Sequence, residues 1–192
     1  MRAGLAVLLG ILLATFAGLA TETAVARSPG LGVSAPAAKP GLRVRMNTGG
    51  MDGMEVITIQ PHLAGDAGWL KATGYSMKDI GAIAETRLRR ITGLRLAPSQ
   101  SATIPRLLVQ VVGHTIQGYG EGDPPAVTHI TVALSQDASV RRGARSIPVT
   151  ALTYTITMLS TGRASTMRDR VRDKLEELLG EFEQDYHRAN PR

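Results

Sequence analysis

No cysteine occurs in the 192 residues. That excludes disulfides, thiolate metal sites, a cysteine nucleophile and lipid attachment to an N-terminal cysteine after export. Aromatic residues are almost as scarce, at 4%, with two Phe and one Trp. The chain is nevertheless 43% hydrophobic, so its core must be built from aliphatic side chains. Acidic residues are in deficit: 22 Lys and Arg against 16 Asp and Glu leave a formal charge of +6. Such a balance favours anionic partners, and it is also ordinary for a small basic protein.

Recognisable catalytic patterns are lacking too. There is no Gly-x-Ser-x-Gly elbow, so serine hydrolase chemistry has no foothold. The four histidines, His62, His114, His129 and His187, are scattered and form no recognisable metal-ligand pattern. His114 and His129 can meet only if adjacent strands bring them together. Met46, Met51, Met54 and Met77 are soft donors of the kind that hold Cu(I), but they serve equally as edge and core hydrophobes. Gly118, Gly120 and Gly122 alternate beside Glu121 and Asp123. Acidic neighbours and the absence of a following helix make this a hairpin loop rather than a phosphate cradle. The expectation is therefore no cofactor, no metal and no catalytic residue.

What is present begins with an address. Arg2 precedes an apolar run from Ala3 to Ala20, followed by polar residues and Ala24-Val25-Ala26. Small side chains at Ala24 and Ala26 suit signal peptidase, so residues 1–26 are expected to be a signal peptide cleaved after Ala26. Gly18 and Ala20 offer a second site, and an uncleaved anchor is the alternative, although Gly and Ala dilute the run. The expected location is periplasmic or extracellular, with no transmembrane segment after cleavage. Residues 27–60 form a linker, rich in Pro and Gly to residue 41, and then either a hairpin or an arm over residues 42–60. Residues 61–192 form the domain.

Within the domain, Ser76 and Asp79 mark a helix start. Ile80, Ile83, Ala84, Leu88 and Ile91 recur at helical spacing, and Gly93 closes the helix. Arg95 and Leu96 suggest a short strand, residues 106–116 a long one. Residues 127–136 and 149–159 alternate with period two: Ile130, Val132, Leu134, Leu152, Tyr154, Ile156 and Met158 on one side, with Thr131, Ala133, Thr153, Thr155 and Thr157 on the other. One apolar face means a sheet covered on one side. A last helix begins at Thr166 with Asp169 and carries the stripe Val171, Leu175, Leu178, Leu179, Phe182 and Tyr186. The predicted fold is α+β: an antiparallel sheet of three to four strands with two α-helices packed on one face.

The stretch from Thr73-Gly74-Tyr75-Ser76-Met77-Lys78-Asp79-Ile80 through Glu85-Thr86-Arg87-Leu88-Arg89 and Gly93, to Phe182-Glu183-Gln184-Asp185-Tyr186 and Ala189-Asn190-Pro191, resembles a recurring type of uncharacterised bacterial exported protein. Its order of elements is similar to the envelope accessory domains LptE and the N-terminal domain of TolB. That resemblance implies two helices on one sheet face and action by binding. The chain departs from LptE in having no cysteine to lipidate.

Three readings follow. The first is a non-enzymatic cell-envelope protein that binds a protein partner through Thr131, Thr153, Thr155 and Thr157. The second is a peripheral binder of anionic lipid or lipopolysaccharide through the basic turn Arg141, Arg142 and Arg145. The third is an enzyme whose site is dispersed through the sequence. Nucleic acid is not expected as a partner, since the chain shows no aromatic platform for base stacking.

Overall fold

A computed structural model describes residues 43–47, 50–98, 104–118 and 122–191. The expected signal peptide and the linker to residue 41 lie outside the described residues. So do Tyr119, Gly120 and Glu121. The described chain runs β1 (Arg43–Asn47), β2 (Val56–Gly65), α1 (Ala67–Thr73), α2 (Met77–Leu88), β3 (Arg95–Leu96), β4 (Arg106–Thr115), β5 (Pro125–Arg142), β6 (Arg145–Arg163), a short 3-10 turn and α3 (Met167–Ala189).

The strands form one six-stranded sheet in the order β1-β6-β5-β4-β2-β3. Along β1-β6-β5-β4 each neighbouring pair is antiparallel, whereas β2 runs parallel to both β4 and β3. The class is α+β, but the predicted antiparallel sheet of three to four strands with two helices is corrected to a mixed six-stranded sheet with three helices. The cause is local. Helices α1 and α2 stand between β2 and β4, and a helical crossover returns the chain in the same direction, as a tight hairpin cannot. β1 and β2 do not pair with each other. They lie on opposite sides of the central strands.

Two sequence signals fix the middle of the chain. Asp66 caps α1 by accepting from the Trp69 backbone N–H at 2.8 Å. Ser76 and Asp79 form a complete capping box on α2. The expected box at Thr166 and Asp169 does not form: Thr166 makes no cap bond, and its hydroxyl donates instead to the Arg163 carbonyl. α3 starts from the 3-10 turn, whose Ser165 N–H and hydroxyl are held by Asp123.

The core lies between the helices and one sheet face. Leu107, Val109, Val111, Ile130, Val132, Leu134, Tyr154, Ile156 and Met158 are buried there, under Ile80, Ala84 and Leu88 of α2 and the whole apolar stripe of α3. Leu152 is not among them. A bulge between Leu134 and Ser135 sets Ser135 opposite Leu152 and leaves Thr153 as the extra residue. That reverses the strand's phase, and Leu152 is 40% exposed. No helix among the described residues is long and apolar enough to cross a membrane.

Candidate functional site

Two surfaces stand out: the sheet face away from the helices, and the end of the β5–β6 ribbon.

β1 defines the first. Arg43 reaches Glu177 and Glu181 of α3, and Arg45 reaches Asp185. Asp185 is buried and also takes bonds from the Tyr154 hydroxyl at 3.1 Å and Arg188 at 2.9 Å. Burial and this neighbouring carboxylate push the Tyr154 phenol well above its ordinary range. Both arginines of β1 therefore lie on the helix side. Successive residues of a strand alternate between faces, so Val44 and Met46 lie on the other side, 55% and 39% exposed. The strand's polarity is inverted: charge faces the helices, and apolar side chains face outward.

The register extends that outward face across the sheet. Val44 pairs with Thr157, Thr157 with Thr131, Thr131 with Gln110, and Gln110 with His62. The next row is Met46, Thr155, Ala133, Leu108 and Gln60. Thr131 and Thr157 share a hydroxyl hydrogen bond of 3.1 Å. Thr131 and Ala133 are buried, Thr155 and Thr157 half-buried. The structure thus brings Thr131, Thr155 and Thr157 together on one flat, weakly polar surface. Thr153 falls in the bulge, against Gly50, where a Cβ on that glycine would overlap the threonine side chain.

The second surface is a two-stranded arm. β4 accompanies β5 only as far as Ser135, and β1 accompanies β6 only to Tyr154. Beyond those points seven pairs, Gln136↔Ala151 to Arg142↔Arg145, continue without a third strand among the described residues. At about 3.3 Å per residue the ribbon projects ~20 Å. Gly143, with φ 60°, opens the two-residue turn at its tip, a conformation that hairpin turns require and glycine tolerates. Arg141, Arg142 and Arg145 are all exposed there. They lie ~33 Å along β6 from Thr155, so the basic turn and the threonine surface are separate sites.

His114 and His129 are diagonal neighbours on one face of adjacent strands rather than a directly opposed pair. Register places His129 opposite Val112, and His114 opposite Val127. Burial holds the His129 imidazole below its ordinary pKa, and the His114 ring lies 3.6 Å from Asp66. Met51 and Met54 are core residues and Met46 is on the outer face, so the methionines do not converge. Among the described residues, no group of three or more His, Asp or Glu is placed to hold a metal ion.

Four carboxylates lie below their usual range, each in a structural setting: Asp66, Asp79, Asp123 and Glu177, the last lowered chiefly by its hydrogen bond from Lys174. Asp66 is lowered first by the Trp69 N–H and then by the N–H and hydroxyl of Thr115. Asp79 is lowered chiefly by the Ser76 hydroxyl, and Asp123 by the Ser165 hydroxyl. A depressed folded pKa gives stabilisation that is complete above the ordinary carboxylate range and is lost as pH falls through the folded value. Asp66→Asn keeps one acceptor oxygen for the Trp69 N–H but removes the titration. Thermal melts at pH 7 and at about pH 3 should therefore lie closer together in the variant than in the parent. An unchanged separation would show that Asp66 does not contribute to acid sensitivity.

The sequence matches no family model and no curated protein. The fold is similar to solved structures of the PelC dodecamer from Paraburkholderia phytofirmans. A point variant aligns at a TM-score of 0.45 and 17% identity, covering 72% of this chain and 95% of that one. A second crystal form aligns at 0.40 and 16%, covering 72% and 94%. These neighbours are not LptE or TolB domains, so the envelope-family resemblance drawn from short sequence signatures is corrected. Those signatures turn out to be the capping box of α2 and the end of α3, where helix chemistry dictates the residue types whatever the family.

Proposed function

We propose that this chain is an exported, non-enzymatic protein that binds a protein partner on its uncovered sheet face. The observation that carries the reading is the inverted polarity of β1. A strand whose arginines turn inward to carboxylates, leaving Val44 and Met46 exposed, suits an outward face that is itself to be covered. The same face continues through half-buried Thr157, Thr155 and Leu108. Flatness favours another protein over a small ligand, because small ligands take concave sites. Helices lie on the opposite side of the sheet, so contact here leaves the core undisturbed.

A photo-crosslinking amino acid placed at Thr157 or Met46 tests this, with exposed Arg172 of α3 as control. In the native envelope, one discrete adduct should form from the first two positions and none from the third. Val44→Asp should abolish it while leaving the unfolding free energy within about 0.5 kcal/mol of the parent, as for an ordinary surface change. Equal labelling at all three positions would remove the open face from consideration. N-terminal sequencing of the recovered protein tests export: a start at Arg27 is expected, and an intact Met1 would contradict cleavage.

A further inference from the structure

We propose that the β5–β6 arm docks on an anionic lipid bilayer, with Val140 and Ile147 in the interfacial layer and Arg141, Arg142 and Arg145 at headgroup phosphates. This surface is separate from the open sheet face, and either reading stands without the other.

The first observation is exposed apolar surface on an unsupported ribbon. Val140 and Ile147 are directly paired across the strands, so their side chains share a face. They are 45% and 40% exposed. Ala138 and Val149, paired two residues further back, lie on that face as well. A lone two-stranded ribbon is only marginally stable in water. Val140 and Ile147 lend it one cross-strand contact there, and they gain further from an apolar environment.

The second observation is how the arginines are used. Arg43, Arg45, Arg87, Arg89, Arg106 and Arg188 all engage carboxylates, and Arg163, Arg168 and Arg170 engage backbone carbonyls. Arg141, Arg142 and Arg145 engage no partner among the described residues. The acid on the arm is Asp137 at its base, 3.7 Å from Arg106. Three uncommitted guanidinium groups therefore occupy the far end of a projecting element.

Charge and apolar surface coincide, and that selects the partner. Arg142 and Arg145 are paired and lie two residues from Val140 and Ile147, on the same face. Cations adjacent to apolar side chains are what a lipid interface accommodates: the aliphatic parts enter the headgroup boundary while the guanidinium groups stay with phosphate. A soluble polyanion would use the arginines and leave Val140 and Ile147 in water. A bilayer uses both.

The test is co-sedimentation of the protein, as its host processes it, with two kinds of vesicle. One is phosphatidylcholine alone and the other contains about a third phosphatidylglycerol. Binding to the anionic vesicles should exceed binding to the neutral ones, and should fall steeply as salt rises. Arg141→Gln, Arg142→Gln and Arg145→Gln together should weaken it on the order of 100-fold, from the contribution each cation makes near an anionic surface. Val140→Ser with Ile147→Ser should weaken it about tenfold without changing its salt dependence. All five residues lie outside the core, so each variant should melt with the parent. Binding that is equal on both vesicle types, or that survives the triple substitution, overturns the proposal. So does tighter binding to heparin than to vesicles with no effect of the Val140 and Ile147 changes, which would identify the tip as a site for a soluble polyanion. The crosslinking at Thr157 is read separately, so failure here leaves the open-face reading intact.

Discussion

Deleting residues 167–192 should leave a chain without a cooperative melting transition. α3 closes the core over β5 and β6, and Val171, Leu175, Leu178, Leu179 and Phe182 are each fully buried in that contact. α2 lies over β2 and β4 and cannot reach the far half of the sheet. Without α3, Ile130, Val132, Leu134, Tyr154 and Ile156 would all face water. Phe182 sits within the stripe, its ring edge-on to Tyr154 at 5.6 Å between centroids and 76° between planes. Phe182→Ala should cost ~3–5 kcal/mol, about a third of a typical domain's stability, read as a lower urea midpoint. A truncated chain that kept the parent's transition would show that α3 is held apart from the core.

Gly113→Val should be at least as damaging, although it adds apolar atoms to a β-strand. Trp69 is fully buried, its indole N–H donating to the Thr128 hydroxyl at 2.8 Å. Its ring lies flat on the backbone of β4 where Gly113 offers no side chain, and a Cβ there would fall inside the indole. Any larger residue must expel the tryptophan. That loses the burial of the largest side chain in the protein and its hydrogen bond, and it disturbs the α1 cap that Asp66 anchors to Thr115 of the same strand. Overpacking alone costs roughly 1–3 kcal/mol, and displacing a buried tryptophan adds ~3–5 kcal/mol. Gly113→Val should therefore lose native Trp fluorescence in buffer. A variant with parental emission and urea midpoint would mean the ring has room that the structure does not show.

The parts of the fold that repeat a local rule were legible in the sequence. α2 announced itself through Ser76, Asp79 and helical spacing. The α3 stripe was read residue for residue, and all six of its members are buried. β5 and β6 are recognisable by alternation and β4 by its run of Val and Leu, although β5 and β6 run well beyond the expected ends. What was not legible depends on partners distant in sequence. Nothing near residues 56–65 states that this strand will lie parallel to β4. The bulge at Leu134 and Ser135 leaves no mark in the composition, so Leu152 was placed on the wrong face. β1 was visible as an alternation of Arg and apolar residues. Its orientation was not, because the carboxylates that decide it are on α3.

The candidate site was legible in a similar measure. Thr131, Thr155 and Thr157 share a face because period two is exact within an unbroken strand, and Thr153 departs from them because the strand is broken there. The basic turn was evident as a run of arginines. That it stands at the end of a projecting ribbon, far from the threonines, required knowing where the neighbouring strands stop.

The arginine contacts of β1 also bear on when the molecule can finish folding. Arg43 meets Glu181 and Arg45 meets Asp185 across separations of 138 and 140 residues. Beyond them, the Tyr186 hydroxyl and the Asn190 side chain hold the carbonyls of Met54 and Met51. The beginning and the end of the described chain are therefore tied to each other, in addition to the pairing of β1 with β6 and the packing of α3 over β5 and β6. Closing so long a loop is entropically costly and slow compared with forming local helices. A chain emerging N-terminus first, from a ribosome or through a pore, has no strand to pair with β1 until β6 has arrived, and no carboxylates for Arg43 and Arg45 until α3 follows. The ion pairs of β1 are completed only when α3 is in place.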